Sequence, residues 1–237
     1  NFKPDQLKIY PCQVMPNSEL EEDYFSGKYN PYDKETIQKL ISEMIKETPR
    51  YCRIMRIMRE IPPEYMTAGT KRIDLRKDIE EELKKQEERG KKIEEIRFRE
   101  IGFALRDLKK GQKINKKVNM KITKYSSSQG KEYFLEFVNQ NDILFGLLRL
   151  RVHDNKAIVR ELHVYGKALK LHEREKSGTQ HTGLGKKLLE KAEEIAKENK
   201  CKNIRVISGV GVREYYRKLG YKLESLNKGE YMIKNIN

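Results

Sequence analysis

The stretch TQHTGLGKKLLEKAEEIA, residues 179–196, leads from a polar turn through two glycines directly into a periodic helix. Gly183 and Gly185 stand where that helix begins, although a single Ser, Thr, Asp or Asn is enough to cap a helix. Glycine has no Cβ to keep a ligand away from the backbone. The start of a helix also offers unpaired N–H groups and the positive end of the helix dipole. The stretch therefore predicts a site where a phosphate meets the backbone.

Two common phosphate-binding motifs do not fit this stretch. A Walker loop requires G-x-x-x-x-G-K-[ST], but Gly185 and Lys186 are followed by Lys187, and the first glycine is missing. A dinucleotide fingerprint requires G-x-G-x-x-G, and its third glycine position holds Leu188. The pattern that remains is Q-x-x-G-x-G over residues 180–185, between a predicted strand and a helix. It aims consecutive backbone N–H groups at a pyrophosphate.

From residue 118 onward the chain has the pattern of one α+β domain. Four successive segments have the composition of strands separated by turns, namely VNMKITKYS, KEYFLEFVN, ILFGLLRLRVH and KAIVRELHVYG. A helix over residues 183–199, a strand NIRVISGVG, a short helix VREYYRKLGY and two closing strands follow. The longer helix has an apolar stripe formed by Leu184, Leu188, Leu189, Ala192, Ile195 and Ala196. We expect a mixed sheet with flanking helices.

The N-terminal part predicts a strand–helix–strand unit with parallel strands. The segments LKIYPCQVM and RYCRIMRIMREIPP have the composition of strands, and a helix lies between them. Asp33 is the predicted cap of that helix. Its predicted buried face consists of Ile37, Leu40, Ile41, Met44 and Ile45. Residues 71–100 place Glu and Lys at i, i+4 and predict a solvated helix.

The net charge of +15 in 237 residues favours a polyanionic partner, above all nucleic acid. A solvated surface rich in Lys and Glu is the alternative, because charged residues make up 37% of the chain. Two basic stretches are candidates for RNA binding: the arginines at every third position from Arg50 to Arg59, and residues 109–124. A salt-bridged rim is the simpler interpretation of the arginines. The predicted RNA contacts are Arg53, Arg56, Lys109, Lys110, Lys116 and Lys117.

Several classes of protein are not indicated. No apolar run reaches the length that spans a bilayer, and no signal peptide is recognisable. Cys12, Cys52 and Cys201 are odd in number and far apart, so we expect neither a disulfide framework nor a metal site. The cysteine usage fits the reducing cytoplasm.

Several segments carry a resemblance to known proteins. IVRELHVYG, QHTGLGKKLLEKAEEIA, VISGVGVREYYRKLGY and GLLRLR resemble the GNAT acetyltransferase superfamily and, within it, the family of Elongator catalytic subunits in its archaeal form. LKIYPCQVM, RIMREIP and IRFREIG resemble the end of that family's radical SAM domain. The resemblance implies the βα end of a radical SAM partial barrel with a helical linker over residues 1–95. It implies a GNAT-like acetyltransferase domain over residues 96–237.

The same resemblance implies an activity, a partner and cofactors. We expect a tRNA uridine(34) acetyltransferase that uses acetyl-CoA for a carboxymethyl-type modification of the wobble uridine, with self-association or other Elongator-type subunits as further partners. The intact family members also use a [4Fe-4S] cluster and S-adenosylmethionine, which require a C-x-x-x-C-x-x-C motif. That motif is missing, and the chain starts at Asn1 rather than at Met. We therefore expect a C-terminal fragment that retains the acetyl-CoA half.

The resemblance also assigns roles to site residues. Residues 161–164 are expected to pair with the pantetheine arm of the cofactor. Tyr216 is the expected cofactor contact, and either Tyr215 or Tyr216 is expected to give a proton to the departing thiolate. Glu161 is a candidate general base or water ligand. The expected cofactor-binding set is Glu161, Leu162, His163, Val164, Gln180, Gly183, Leu184, Gly185, Lys186 and Tyr216.

Some of these residues can instead have a purely structural role. Glu161 can form a structural pair with Arg160 or Arg205, and His163 can be a satisfied core histidine. Strand alternation predicts two faces, one with Arg160, Leu162 and Val164 and the other with Glu161, His163 and Tyr165.

Two further functions compete with the expected one. A GNAT enzyme can act on protein lysine or on small amines, and the fold can also be kept by a non-catalytic tRNA-binding scaffold.

Overall fold

The computed structural model describes residues 2–59, 61–70, 75–88, 90, 92–109, 111–165, 183–226 and 229–236. Two predicted site residues, Lys110 and Gln180, lie outside the described residues. The chain divides into two compact units, Pro4–Phe98 and Arg99–Asn237, and Asn1–Lys3 belongs to the second of them. Across the described ranges, no helix is both long enough and apolar enough to cross a membrane.

The unit Pro4–Phe98 contains the predicted parallel strand–helix–strand arrangement. Strands β1 (Gln6–Ile9) and β2 (Arg53–Ile57) pair in parallel. Between and after them lie helices α1 (Glu19–Phe25), α2 (Lys34–Lys46), α3 (Leu75–Glu88) and α4 (Ile96–Arg99), the last of which reaches the boundary between the units. The pairing of β1 with β2 confirms the predicted parallel unit. The connection through α2 is long enough for the crossover that parallel strands need.

Helix α2 begins at the predicted cap but buries a narrower face than predicted. The Asp33 carboxylate accepts a hydrogen bond from the Thr36 N–H at 2.7 Å. Ile37, Ile41 and Ile45 are buried in one row. The prediction was wrong for Leu40 and Met44, which are 41% and 50% exposed and line an open apolar groove. The prediction counted every apolar position of the helix as buried, whereas the apolar stripe is wider than the packed row.

The unit Arg99–Asn237 is the predicted α+β domain with a mixed sheet. Its strands lie in the order β3-β4-β5-β6-β7-β9-β8, and among these described strands only β6 and β7 pair in parallel. The strands are β3 (Asn119–Ser127), β4 (Gly130–Val138), β5 (Leu144–His153), β6 (Lys156–Val164), β7 (Asn203–Val206), β8 (Lys222–Leu226) and β9 (Gly229–Asn235). The helices are α5 (Ile101–Arg106), α6 (Leu184–Glu198) and α7 (Arg213–Lys218). All six apolar positions predicted for the stripe of α6 are buried.

The face of the sheet opposite α6 carries ion pairs between buried groups. Arg99 donates to the Glu136 carboxylate at 3.1 Å, and the two side chains are 4% and 0% exposed. On the same strand β4, Glu132 accepts hydrogen bonds from Arg151 of β5 and from Arg160 of β6. Because a buried charge without its partner is costly, these pairs hold the central strands in register.

We predict that Arg99→Met lowers the free energy of unfolding of this unit by about 3 to 5 kcal/mol, because it removes a cation that faces the fully buried Glu136. The matched control is Arg217→Met, whose pair with Glu214 is 49% and 66% exposed and is worth less than about 1 kcal/mol. Urea unfolding of the three proteins measures the difference. Equal losses in the two variants would contradict the assignment.

Candidate active site

A gap opens in the sheet where β6 separates from β7. The parallel pairing covers Ala157–Val159 and Ile204–Val206, and it ends with the Ile207 N–H donating to the Val159 carbonyl at 3.0 Å. Strand β6 continues to Val164, and there β5 is its one strand neighbour among the described residues. An extended ligand can therefore lie along this open edge and form hydrogen bonds with the backbone groups of β6.

A β-bulge in β6 lies where the separation begins. Glu161 faces Arg149 and Val159 faces Leu150, so Arg160 is an extra residue in β6. Arg160 donates to Glu132 at 2.8 Å, and Glu161 accepts from Arg149 at 2.7 Å. Both side chains thus lie on the face opposite α6.

The predicted alternation was wrong for Arg160, because a bulge inserts one residue and shifts the two-residue period. Leu162 and Val164 stay on the α6 face as predicted, opposite Leu148 and Gly146.

The first turn of α6 lies beside the end of β6. Gly183 is the N-cap in the left-handed region, at φ +102°, and as a glycine it has no side chain with which to cap the helix. The Lys187 N–H donates to the Gly183 carbonyl, so the first N–H groups of the helix precede any intrahelical bond. A Cβ on Gly185 would lie 3.6 Å from the Val164 side chain. The structure thus brings Gly183, Leu184, Gly185 and Lys186 together with Val164.

The missing side chain of Gly185 has a cause within the protein. A Cβ at this position would lie 2.8 Å from the Tyr215 hydroxyl oxygen and 3.7 Å from the Cζ atom of the same ring. The first distance is shorter than real Cβ atoms show, whereas the second is an ordinary contact. A side chain at position 185 would therefore force the Tyr215 ring, which is 40% exposed, to move away from the start of α6.

The two tyrosines of α7 differ in exposure. Tyr215 is 40% exposed, and Tyr216 is 5% exposed, with its ring edge-on to those of Tyr215 and Tyr221 at 5.2 and 5.9 Å. Burial, and to a smaller extent the neighbouring Tyr215, raises the pKa of Tyr216 to about 12. Burial also raises the pKa of Tyr215. Both phenols consequently stay protonated at neutral pH and can donate a hydrogen bond or a proton.

Glu161 and His163 lie on the exposed part of β6. The Glu161 side chain is 30% exposed, and Arg149 is its partner among the described residues. The partners predicted for a structural role are wrong, since Arg160 pairs with Glu132 and Arg205 with Glu224. His163 is exposed, with its ring centroid 4.4 Å from that of Tyr165, so it is not a core histidine.

The predicted RNA contacts divide between the two units. Lys109, Lys116 and Lys117 are exposed in an irregular segment of the unit Arg99–Asn237, and the latter two line one open depression. In the unit Pro4–Phe98, Arg56 is exposed beside Lys8, and Arg53 is half-buried. Arg50, from the same run of arginines, is buried in a pair with Glu94 at 2.9 Å. The salt-bridge interpretation therefore holds for this arginine.

The residues of this chain do not fit an iron–sulfur cluster. The sequence has no C-x-x-x-C-x-x-C motif. Cys12 is exposed, whereas Cys52 and Cys201 are buried, and the last of these belongs to the other unit. Within the described ranges, no group of His, Cys, Asp and Glu is suited to hold a metal ion.

We predict that Gly185→Ala costs about 1 kcal/mol of stability, because the new methyl group has to displace the Tyr215 hydroxyl, which is the end of a 40% exposed side chain. Adding Tyr215→Phe removes that oxygen and should restore most of the loss. Gly183→Ala is the control: its cost comes from a positive φ with open space around the Cβ, so Tyr215→Phe should not relieve it. Thermal unfolding reports all four changes. A loss in Gly185→Ala that persists without the hydroxyl argues against the contact.

Comparisons with known proteins match both parts of the chain. The model for the Radical_SAM C-terminal domain matches residues 4–85, and the model for the acetyltransferase (GNAT) family matches residues 112–221. The tRNA uridine(34) acetyltransferase of Dehalococcoides mccartyi is 39% identical over 99% of this chain and 51% of its own length. Elongator complex protein 3 of Schizosaccharomyces pombe is 38% identical over 98% of this chain and 43% of its own length.

A solved structure agrees with these relatives. The archaeal Elp3 of Methanocaldococcus infernus, with an N-terminal deletion, superimposes with a TM-score of 0.82 at 38% identity, over 98% of this chain and 55% of that chain. The chain spans about half the length of the curated relatives it matches. Both domain models, the relatives and the fold agree with one another, and the chain belongs to the family of the Elongator catalytic subunit, Elongator complex protein 3.

Proposed function

We propose that this chain supplies the acetyl-CoA site of a tRNA uridine(34) acetyltransferase. The observation that carries the proposal is the gap beside β6 beyond Val159, which meets the first turn of α6 with glycine at its N-cap. A diphosphate suits the N–H groups of that turn, and a pantetheine arm suits the open edge of residues 160–164. The relative in D. mccartyi carries the name of this activity.

The proposed cofactor contacts follow from this placement. Gly183, Leu184, Gly185 and Lys186 surround the diphosphate, and Gln180 belongs to the same motif. Glu161, Leu162, His163 and Val164 follow the pantetheine arm. The variant carrying both Gly185→Ala and Tyr215→Phe tests the first contact, because its fold is relieved of the overlap while the new methyl group still faces the diphosphate. Loss of CoA binding in that variant supports the phosphate site.

The chemistry assigned to this chain is cleavage of the thioester. A carboxymethyl product ends in a carboxylate, whereas acetyl-CoA presents a thioester, so a water oxygen has to replace the sulfur. Water attacks the carbonyl carbon while Glu161 takes its proton, the C–S bond breaks, and a tyrosine gives its proton to the thiolate. Bond formation at the uridine lies outside what these residues do.

Tyr216 is the better candidate for the proton donor. The Tyr215 hydroxyl lies beside Gly185 at the start of α6, the end where the diphosphate of the cofactor is proposed to bind. The thioester lies at the far end of the pantetheine arm. Tyr216 is the neighbouring phenol and has its ring in the buried cluster beside the sheet. A phenol that stays protonated there meets the developing thiolate without the need for a metal ion.

The basic residues complete the proposal with a tRNA surface. Lys109, Lys116 and Lys117 are exposed near an open depression, and Lys110 lies in the same sequence run. Arg53 and Arg56 offer a second basic set in the other unit. Three cysteines without a disulfide framework suit a cytoplasmic location, and the name Elongator suggests further subunits as partners.

The two competing functions make different demands. An enzyme acting on amines turns over acetyl-CoA with peptides or small amines alone and does not need the basic segment. A non-catalytic scaffold binds tRNA but gains no thermal protection from CoA.

We predict that tRNA accelerates acetyl-CoA hydrolysis by this chain and that Tyr216→Phe lowers kcat by about 10²- to 10⁴-fold, because it removes the proton donor. Tyr215→Phe is the matched control and should change kcat by less than about tenfold. Both variants keep the aromatic ring, so CoA binding is retained. Stimulation by lysine peptides instead of tRNA would overturn the proposed acceptor, and an equal loss in both variants would overturn the choice of donor.

We predict that replacing Lys116 and Lys117 by Met weakens tRNA binding and lowers the slope of log K against log salt by about 0.7 to 0.9 per lost phosphate contact. Fluorescence anisotropy at several salt concentrations measures the slope. Lys191→Met is the control, because this lysine is paired with Glu194 on α6. A change of slope in the control as large as in the test variant would contradict a local tRNA surface.

A further inference from the structure

We infer that Arg149 is a positioning residue of the proposed reaction, which acts by fixing the Glu161 carboxylate beside the gap in the sheet. The inference rests on the proposed function and goes beyond it, because it assigns a role to a side chain that touches neither cofactor nor acceptor. Three observations carry it: the burial of Arg149, its bond to Glu161, and the contrast with the neighbouring arginines.

Arg149 is fixed on two sides. It is 2% exposed although it carries a permanent charge. Its guanidinium carbon lies 5.0 Å from the centre of the Phe134 ring, and Phe134 is fully buried. Its Nε–H donates to one oxygen of Glu161 at 2.7 Å, a charge-assisted hydrogen bond. Ring and carboxylate together leave the guanidinium little freedom to move.

Glu161 is the exposed member of this pair. Its side chain is 30% exposed, and Arg149 binds its Oε2 atom. Among the described residues the Oε1 atom has no other bonding partner, so it is available to a water molecule or to substrate. The same residue follows the bulge at Arg160, where β6 leaves β7. The buried cation therefore presents an accessible carboxylate oxygen at the place where the thioester is proposed to lie.

The neighbouring pairs have the reverse arrangement. Arg151 and Arg160 are 23% and 25% exposed, and both bind Glu132, which is 4% exposed. In that cluster the two cations neutralise a buried carboxylate, and this pairing holds the strands in register. At Arg149 the buried group is the cation. A merely structural pair does not require its carboxylate to face the gap.

The role of Arg149 follows from the proposed cleavage step. Glu161 takes a proton from water as the water oxygen bonds to the carbonyl carbon, and the C–S bond electrons leave with the thiolate, which Tyr216 protonates. Arg149 neither gives nor takes a proton in this step. It keeps Glu161 in one rotamer, and a base held in the reactive geometry is more effective than one that samples several.

The experiment is a double-mutant cycle on tRNA-stimulated hydrolysis of acetyl-CoA by the full chain. Arg149→Met and Glu161→Gln are each expected to lower kcat by about 10- to 100-fold, with the KM for acetyl-CoA changed less than about threefold. If Arg149 acts through Glu161, the double variant is no slower than Glu161→Gln alone. Multiplied losses, or an unchanged kcat in Arg149→Met, would overturn the inference.

Arg151→Met is the matched control, because Arg151 lies two residues further on the same face of β5 and binds Glu132 instead. Its effect should multiply with that of Glu161→Gln. If Arg149→Met does not fold, Arg149→Lys takes its place in the cycle. If neither variant folds, Arg149 has a structural role and the inference is overturned. Absence of turnover in the unmodified chain would instead overturn the proposed function.

Discussion

The β-bulge at Arg160 is the local feature on which the rest of the site depends. It places Arg160 and Glu161 on one face and sits where β6 leaves β7, so five residues of β6 keep an open edge. The first turn of α6 and the hydroxyl of Tyr215 meet at the end of that edge. If β6 continued from Val159 with regular pairing instead of the bulge, Arg160 would lie opposite Arg149 and Glu161 would point toward α6, so the pair of Arg149 with Glu161 could not form.

The charged face of the sheet supports this arrangement. Glu132 and Glu136 on β4 are buried, and each is neutralised by arginine. Such pairs add little net stability, because desolvation offsets most of the attraction between the charges. Their effect is on the register of the strands. If a strand slipped by one residue, its charged side chains would point into the apolar layer under α6 and would lose their partners. The register of β4, β5 and β6 in turn places the bulge and the gap.

The glycines at the start of α6 serve the protein and the proposed ligand together. Gly183 adopts a left-handed conformation with open space around it, which suits a turn that must leave its N–H groups accessible. Gly185 makes room for the Tyr215 hydroxyl, which joins α7 to the same turn. A helix start built in this way is fixed in position before a cofactor binds, and a preformed site loses less entropy on binding.

The sequence by itself determined the elements of this protein, the mixed sheet, the apolar stripe of α6 and the family, because periodicity, turn residues and motif spacing are local properties. It predicted Glu161 and the glycine turn, but not the bulge, and therefore it assigned Arg160 to the wrong face and Glu161 to the wrong partners. It predicted burial for Leu40 and Met44, which line an open groove instead. Only the tertiary structure decided that Arg149 holds Glu161 and that the Tyr215 hydroxyl lies against Gly185, because these contacts join different strands and helices, and no local pattern records them.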